Sequence, residues 1–194
     1  MNVLMLAGEL AKRPVVTLGG EAVGQVKDTV FDAAGARITG FTLAGRGLLA
    51  GPLKQSLPWS GVHFLGPDAV MIPSTDVLED RAAVVARSEA GHGQVRGARV
   101  LTDGGLEVGT VLDVVIEGGA DGRVVGVHLT TTDALGKKGR KVYLPAQGRL
   151  SMTGDTLVVP GHTAGRFTED LGALAEELLR GPTAGSAPGE GKTL

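Results

Sequence analysis

The sequence predicts a mainly β fold, a tandem pair of small β-barrels followed by a C-terminal amphipathic helix. Glycine accounts for 32 of the 194 residues, and only 3% of the residues are aromatic, which is typical of short aliphatic strands joined by tight turns. The segment Gly20–Asp32 (GEAVGQVKDTVFD) is written again at Gly105–Glu117 (GLEVGTVLDVVIE). This repetition predicts two copies of one structural unit.

The first copy is predicted to be a series of short strands. Residues that favour turns, such as Gly66-Pro67-Asp68 and the segment 33–36, separate its apolar runs. The predicted strands are 15–18, 23–31, 37–44, 62–65 and 69–72, with 83–85 as a candidate further strand. Closing such short strands into a barrel removes exposed strand edges.

The second copy repeats the same steps after a short connection. Its predicted strands are 99–101, 108–116, 123–129, 142–145, 150–152 and 156–159. Gly24 aligns with Gly109, Asp28 with Asp113 and Arg37 with Arg123. The predicted domains are a first barrel with the N-terminal segment at 1–85, a linker at 86–97, a second barrel at 98–167, a helix at 168–181 and a disordered tail at 182–194.

The predicted helix begins after the second barrel. Thr168 is a suitable N-cap, and Leu171, Leu174 and Leu178 fall on one face of a helix that Gly181-Pro182 would end. This apolar stripe would pack on the second barrel or offer a face to a partner.

Each copy carries the pattern G-x-x-V-G-x-V-x-D, at Gly20–Asp28 and Gly105–Asp113, followed by Arg-x-x-Gly and then Leu-Pro. In this pattern the chain resembles the PRC-barrel family. That small β-barrel occurs in the photosynthetic reaction-centre H subunit and in the C-terminal half of a ribosome-maturation factor. The resemblance implies an adaptor or assembly module that binds other proteins. We expect a stand-alone tandem, without the H subunit's membrane helix or the ribosomal factor's partner domain.

Two aspartates stand out in the repeated segment. Asp28 has the same strand parity as the apolar Val26 and Val30, and Asp113 has the same parity as Val111 and Val115, so both are predicted to face inward. A buried carboxylate needs hydrogen-bond donors. We expect these to be backbone amides of a neighbouring turn or the arginine of the same repeat, Arg37 or Arg123.

No set of residues specifies a reaction. The chain has no cysteine, which excludes disulfides and thiolate sites and suits a cytoplasmic protein. The histidines lack the spacing of metal ligands and are His63, His92, His128 and His162. The net charge of −2 is too small to require a nucleic-acid partner. We therefore predict a non-enzymatic protein without a metal or cofactor.

Two unlike loops interrupt the otherwise matching copies. The first carries Leu48, Leu49 and Leu53, which would form an apolar knob for a partner or lipid surface, or fold back onto the companion barrel. The second carries a basic group made of Lys137, Lys138, Arg140 and Lys141. It would meet phosphate or an acidic protein, or simply be solvated.

These loops predict binding of a protein partner by an adaptor. The alternative is an RNA- or ribosome-associated accessory protein that uses the basic loop at 137–141. A third hypothesis is a small-molecule binder or enzyme with a polar pocket between the barrels. Peripheral membrane association and homo-oligomers stay open at this stage.

Overall fold

A computed structural model describes residues 3–32, 36–89, 95–146, 151–153 and 155–181. Strands β1 to β8 are Leu4–Leu6, Pro14–Thr17, Ala22–Asp32, Arg37–Ala44, Pro52–Pro58, Phe64–Leu65, Val70–Ile72 and Glu79–Asp80. Strands β9 to β14 are Arg99–Thr102, Glu107–Glu117, Val124–Thr131, Lys141–Pro145, Ser151–Thr153 and Thr156–Val159. Helices α1 and α2 are Arg81–Glu89 and Leu171–Arg180. The predicted turn at 33–36, the linker and the tail lie wholly or partly outside the described residues.

The two copies form two curled sheets with the same strand order. The first runs β6-β7-β2-β3-β4-β5 and the second runs β13-β14-β9-β10-β11-β12. Each contains one parallel pair, β2 with β7 and β9 with β14, among antiparallel neighbours. The mainly β fold built from a repeated unit is confirmed.

Each sheet also gains a strand from outside this shared set. β8 pairs with β5 in the first sheet. β1 joins the second sheet, where Met5 lies opposite Ile116 in an antiparallel pair with β10. The N-terminal segment, predicted to belong to the first barrel, instead contributes the backbone hydrogen bonds of its strand to the second.

Residues 83–85 lie in helix α1, so the prediction of a further strand there is wrong. Asp80 accepts a hydrogen bond from the Ala82 amide at 2.8 Å, which satisfies an otherwise unpaired donor in the first turn. Val84 is fully buried and lies against Gly40 of β4. The cap and this packing outweigh the β-propensity of two adjacent valines.

Helix α2 is the counterpart of α1 in the second copy. Its Leu174 is fully buried and lies against Gly126, the equivalent of Gly40. The N-cap is Asp170, which accepts from the Ala173 amide at 2.8 Å, and not Thr168. Thr168 is extended because its backbone exchanges hydrogen bonds with Tyr143. No helix in the described part of the chain is long and apolar enough to span a membrane.

The two sheets share one apolar core and meet with approximate two-fold symmetry. At the seam the Ile38 amide donates to the Gly122 carbonyl at 2.9 Å, and the Val124 amide donates to the Ala36 carbonyl at 2.8 Å. Ile38 and Ala36 are the equivalents of Val124 and Gly122, so the two hydrogen bonds are reciprocal. A continuous set of buried residues extends across this seam.

Candidate functional site

The loops that differ between the copies occupy equivalent places in the two sheets. We call residues 45–51, between β4 and β5, the leucine loop. Residues 132–140, between β11 and β12, are the lysine loop. Because both loops connect equivalent strands, their differences are not imposed by the shared fold.

The leucine loop projects two apolar side chains into solvent. Leu48 and Leu49 have relative exposures of 106% and 101%, as in an isolated peptide. The loop has internal order, since the Gly45 amide donates to the Gly51 carbonyl at 3.1 Å. Burying each leucine would be favourable by about 1.5–3 kcal/mol. Burial of these two side chains by a partner would therefore contribute favourably to the free energy of binding.

Leu53 does not belong with the other two leucines. It lies on β5, is partly buried and packs against the core. Its Cδ1 lies 3.1 Å from the position that a Cβ on Gly24 would take. The three leucines of the sequence analysis thus divide into two exposed tip residues and one core residue.

Hydrogen bonds from two threonines hold the lysine loop in place. The Thr131 hydroxyl donates to the Lys137 carbonyl at 2.6 Å and accepts from the Arg140 amide at 3.1 Å. The Thr132 hydroxyl donates to the Glu107 carbonyl at 2.6 Å. The hydrogen bonds of Thr131 close the loop on itself, and the hydrogen bond of Thr132 fixes the start of the loop to β10.

Only part of the basic group on this loop is free to meet a ligand. The Arg140 guanidinium forms an ion pair with Glu169 and lies 5.4 Å from the centre of the Phe167 ring. Its charge is already partnered within the protein. The exposed cations are Lys137, Lys138 and Lys141.

The two loops lie at opposite ends of the molecule. Arg37 and Arg123 are paired in an antiparallel bridge at the seam, so β4 and β11 run away from it in opposite directions. At about 3.3 Å per residue along these strands, the loops are up to about 50 Å apart.

The expectation that Asp28 and Asp113 share a face with Val26 and Val111 is wrong. A β-bulge follows each of these valines and inverts the alternation of the strand. Val111 packs in the main core, whereas Val115, on the side of Asp113, packs beneath α2. The bulges therefore turn both aspartates to the outer face of their sheets.

The two aspartates have different partners. The Asp113 side chain is 13% exposed and accepts from the Gly8 amide at 2.9 Å and from the Arg96 guanidinium at 3.0 and 3.2 Å. Of the two kinds of donor that we expected, Asp113 thus has the backbone amide of a neighbouring turn. Its arginine is not that of the same repeat, because Arg123 pairs with Glu117. Asp28 is exposed and accepts from the Thr42 hydroxyl at 3.2 Å.

Beside Asp113, His128 stacks on Tyr143 with ring centres 4.5 Å apart. Burial lowers the pKa of His128, an effect that Asp113 opposes and Lys141 reinforces. Burial also raises the pKa of Tyr143, with a smaller contribution from Glu9. The sequence did not predict this pair, because residues that become cross-strand neighbours only in the folded sheet leave no local pattern. Among the described residues, no group of three or more His, Asp or Glu side chains is suited to hold a metal ion.

The motif glycines serve the close approach of neighbouring strands. A Cβ on Gly109 would lie 2.3 Å from the Thr130 carbonyl oxygen, and one on Gly24 would lie 2.8 Å from the Ala44 carbonyl oxygen. Neither glycine has the positive φ that favours glycine. Their position is explained by lack of space for a side chain.

A small cleft lies between the two halves. Its walls include Phe31, Val95, Val124 and Met152, and its lining is almost entirely apolar. The enclosed space is about that of one water molecule. This cleft does not supply the polar pocket that the third hypothesis requires.

Comparison with known protein families gives two matches to one domain, and both fall on the sheets described above. The matched family is the PRC-barrel domain, over residues 3–80 and again over 89–164. Comparison with curated proteins gives no match. Since the two matches together cover well over half of the chain, the protein belongs to the PRC-barrel family and contains its domain twice.

Proposed function

We propose that this protein is a non-enzymatic cytoplasmic adaptor that binds a protein partner through the leucine loop. PRC-barrel domains are protein-interaction and assembly modules, and the proposal assigns that role to one surface of this chain. The observation that carries it is the complete exposure of Leu48 and Leu49. The cytoplasm is proposed because a chain without cysteine has no need of an oxidising compartment.

The leucines of the loop contrast with those that the fold uses. Leu10, Leu43, Leu57 and Leu129 are fully buried, so the barrels do not lack apolar residues for their cores. Two adjacent leucines at a loop tip add nothing to that packing. They fit the pattern of interface anchors, which fill a pocket on a partner and supply most of the binding energy.

The arrangement of the loops suits an adaptor in a second way. The leucine and lysine loops lie at opposite ends of a pair of sheets that share one core, so contacts at one end leave the other end open. Because Arg140 is already paired with Glu169, the lysine loop offers only two exposed cations, Lys137 and Lys138, with Lys141 next to it at the start of β12. This weakens support for the RNA-binding alternative, which depends on neutralising several phosphates.

An affinity capture from native lysate tests the proposal with the full chain as bait. The test variant is Leu48→Ser with Leu49→Ser. A matched control is Leu18→Ser with Leu106→Ser, which removes two leucines that are 57% and 52% exposed outside the loop. We expect a protein that is retained at high salt by the native bait and the control, and lost with the test variant.

Equal capture by the native bait and the test variant would contradict the proposal. Capture of RNA that is lost at high salt, and lost also with Lys137→Ser and Lys138→Ser, would support the accessory-protein alternative.

A further inference from the structure

We propose that the leucine loop docks into an apolar pocket of its partner protein that is bordered by Asp or Glu side chains. This inference rests on the proposed adaptor function and adds the chemistry of the partner surface. It follows from the charges that flank the exposed leucines and from the absence of Asp and Glu in the sequence between Asp32 and Asp68.

The leucine tip lies between two exposed cations. Arg46 precedes Leu48 within the loop, and Lys54 follows it on β5; both are exposed. The chain has no Asp or Glu between Asp32 and Asp68. The leucine loop itself is therefore apolar and positively charged, and β8, a strand with acids, pairs with β5 at Gln55 and Ser56.

These two cations have no ion-pair partner among the described residues, unlike Arg140 on the equivalent loop. An unpaired charge at the edge of an apolar contact favours a partner with the opposite charge there. A positively charged edge accelerates association with an acidic partner surface and disfavours partners with a basic surface.

The loop presents this pattern in a defined shape. The Gly45 amide donates to the Gly51 carbonyl at 3.1 Å, and the Ala50 amide donates to the Gly47 carbonyl at 3.2 Å. Gly47 has φ = 116°, a conformation that glycine adopts readily. Because the turn exists before binding, less conformational entropy is lost when the leucines enter a pocket.

A folded protein pocket fits these observations better than a lipid surface. Stable peripheral attachment to a membrane takes a broad apolar helix face, two lipid-like anchors or a cluster of about four to eight basic residues. The loop has two leucines and one cation, Arg46, and Lys54 follows on β5. The two leucine side chains are enough to fill one pocket, and the two cations are enough to border it.

Photo-crosslinking at the loop tests the inference directly. Benzoylphenylalanine replaces Ala50, which is exposed, so that both leucines are kept. The crosslinked partner is captured from native lysate and the modified peptide is identified by mass spectrometry. The charge-reversal variant is Arg46→Glu with Lys54→Glu. The matched control is Lys137→Glu with Lys138→Glu, which makes the same change in net charge at the other end of the molecule.

We expect the loop reversal to lower the crosslinking yield by about tenfold, while the distant reversal and the conservative pair Arg46→Lys with Lys54→Arg leave it nearly unchanged. The crosslinked peptide should place Asp or Glu beside apolar residues. Changing those acids to Lys in the partner should restore crosslinking to the Arg46→Glu, Lys54→Glu variant.

Three results would overturn the inference. The first is a crosslinked peptide without nearby acids, and the second is crosslinking to another copy of this chain. The third is a yield that does not distinguish the two charge reversals. Sedimentation with vesicles of phosphatidylcholine and phosphatidylglycerol, with no crosslinked protein, would indicate a lipid surface instead.

The adaptor proposal is tested separately by Leu48→Ser with Leu49→Ser. If this variant abolishes crosslinking and the loop reversal does not, the adaptor function stands and the acidic border is wrong. If the serine variant crosslinks normally, the proposed function itself fails.

Discussion

The two barrels reach the same strand order with different side chains on their outer faces. Across three neighbouring strands the first has Asp28, Thr42 and Ser56, and the second has Asp113, His128 and Tyr143. The first row is short and polar, whereas the second contains an ion pair with a largely buried carboxylate and a stacked ring pair. The comparison shows that the inner core defines the barrel, while its outer face is open to variation.

The comparison extends to how the barrels are anchored. The second sheet receives β1 from the N-terminal segment, and Asp113 binds the Gly8 amide of the turn that follows β1. Asp28 is bound by one hydroxyl of its own sheet. The second barrel should therefore depend more than the first on its repeated aspartate.

The largest expected effect comes from the motif glycines. Gly109→Val should destabilise the protein by more than about 4 kcal/mol, because its side chain would collide with the Thr130 carbonyl and the Leu129 side chain. Gly24→Val should cost about 2–3 kcal/mol, since its nearest backbone atom is farther away. Urea unfolding followed by circular dichroism measures both. Gly104→Val, with its nearest contact at 3.7 Å, is the control. Equal stability of the Gly109→Val and native proteins would refute the close-packing explanation.

The second-largest expected effect is a difference between the aspartates of the two barrels. Asp113→Ala should lower the free energy of unfolding by about 2–3 kcal/mol, because it leaves the Gly8 amide and Arg96 without their acceptor. Asp28→Ala should cost less than about 1 kcal/mol at its exposed position. A double-mutant cycle with Arg96→Ala should show coupling to Asp113. Equal losses at the two aspartates would contradict the asymmetric anchoring.

A third comparison lies within the first barrel. Leu53→Ser should lower the free energy of unfolding by about 1–2 kcal/mol, because this partly buried side chain packs on the core. Leu48→Ser with Leu49→Ser should change it by less than about 0.5 kcal/mol, since both side chains are fully exposed. Thermal unfolding of the variants measures the difference. A large drop for the double serine variant would mean that the loop leucines support the fold.

The smallest expected effect is a pH dependence found only in the second barrel. Burial lowers the pKa of His128, so the unfolded chain binds a proton more readily than the folded one. Stability should fall as the pH drops below the unfolded pKa of about 6.5. Because solvent screens this half-exposed side chain, the loss should stay below about 0.5 kcal/mol. His128→Thr, which copies Thr42 of the first barrel, should remove this component of the pH dependence. Unfolding in urea at several pH values checks it, and an identical pH profile in the variant would contradict it.

The sequence alone was sufficient for the architecture of the repeated unit and for locating its unlike loops. The spacing of glycines, valines and turn residues is a local pattern, and its occurrence in two copies makes the equivalent positions recognisable. That is why Gly24 and Gly109 were matched correctly, and why the segments between Leu43 and Leu57 and between Leu129 and Leu144 were identified as departures from the repeat.

Only the tertiary structure decided which residues share a face and which barrel receives the N-terminal strand. One bulge in each long strand inverts the positions of Asp28 and Asp113, and a bulge leaves no period that a sequence can display. Asp113 meets Gly8 across a separation of 105 residues, where no local preference selects the partner. Leu48 and Leu53 are leucines of the same short segment, and only the folded barrel makes one exposed and the other part of the core.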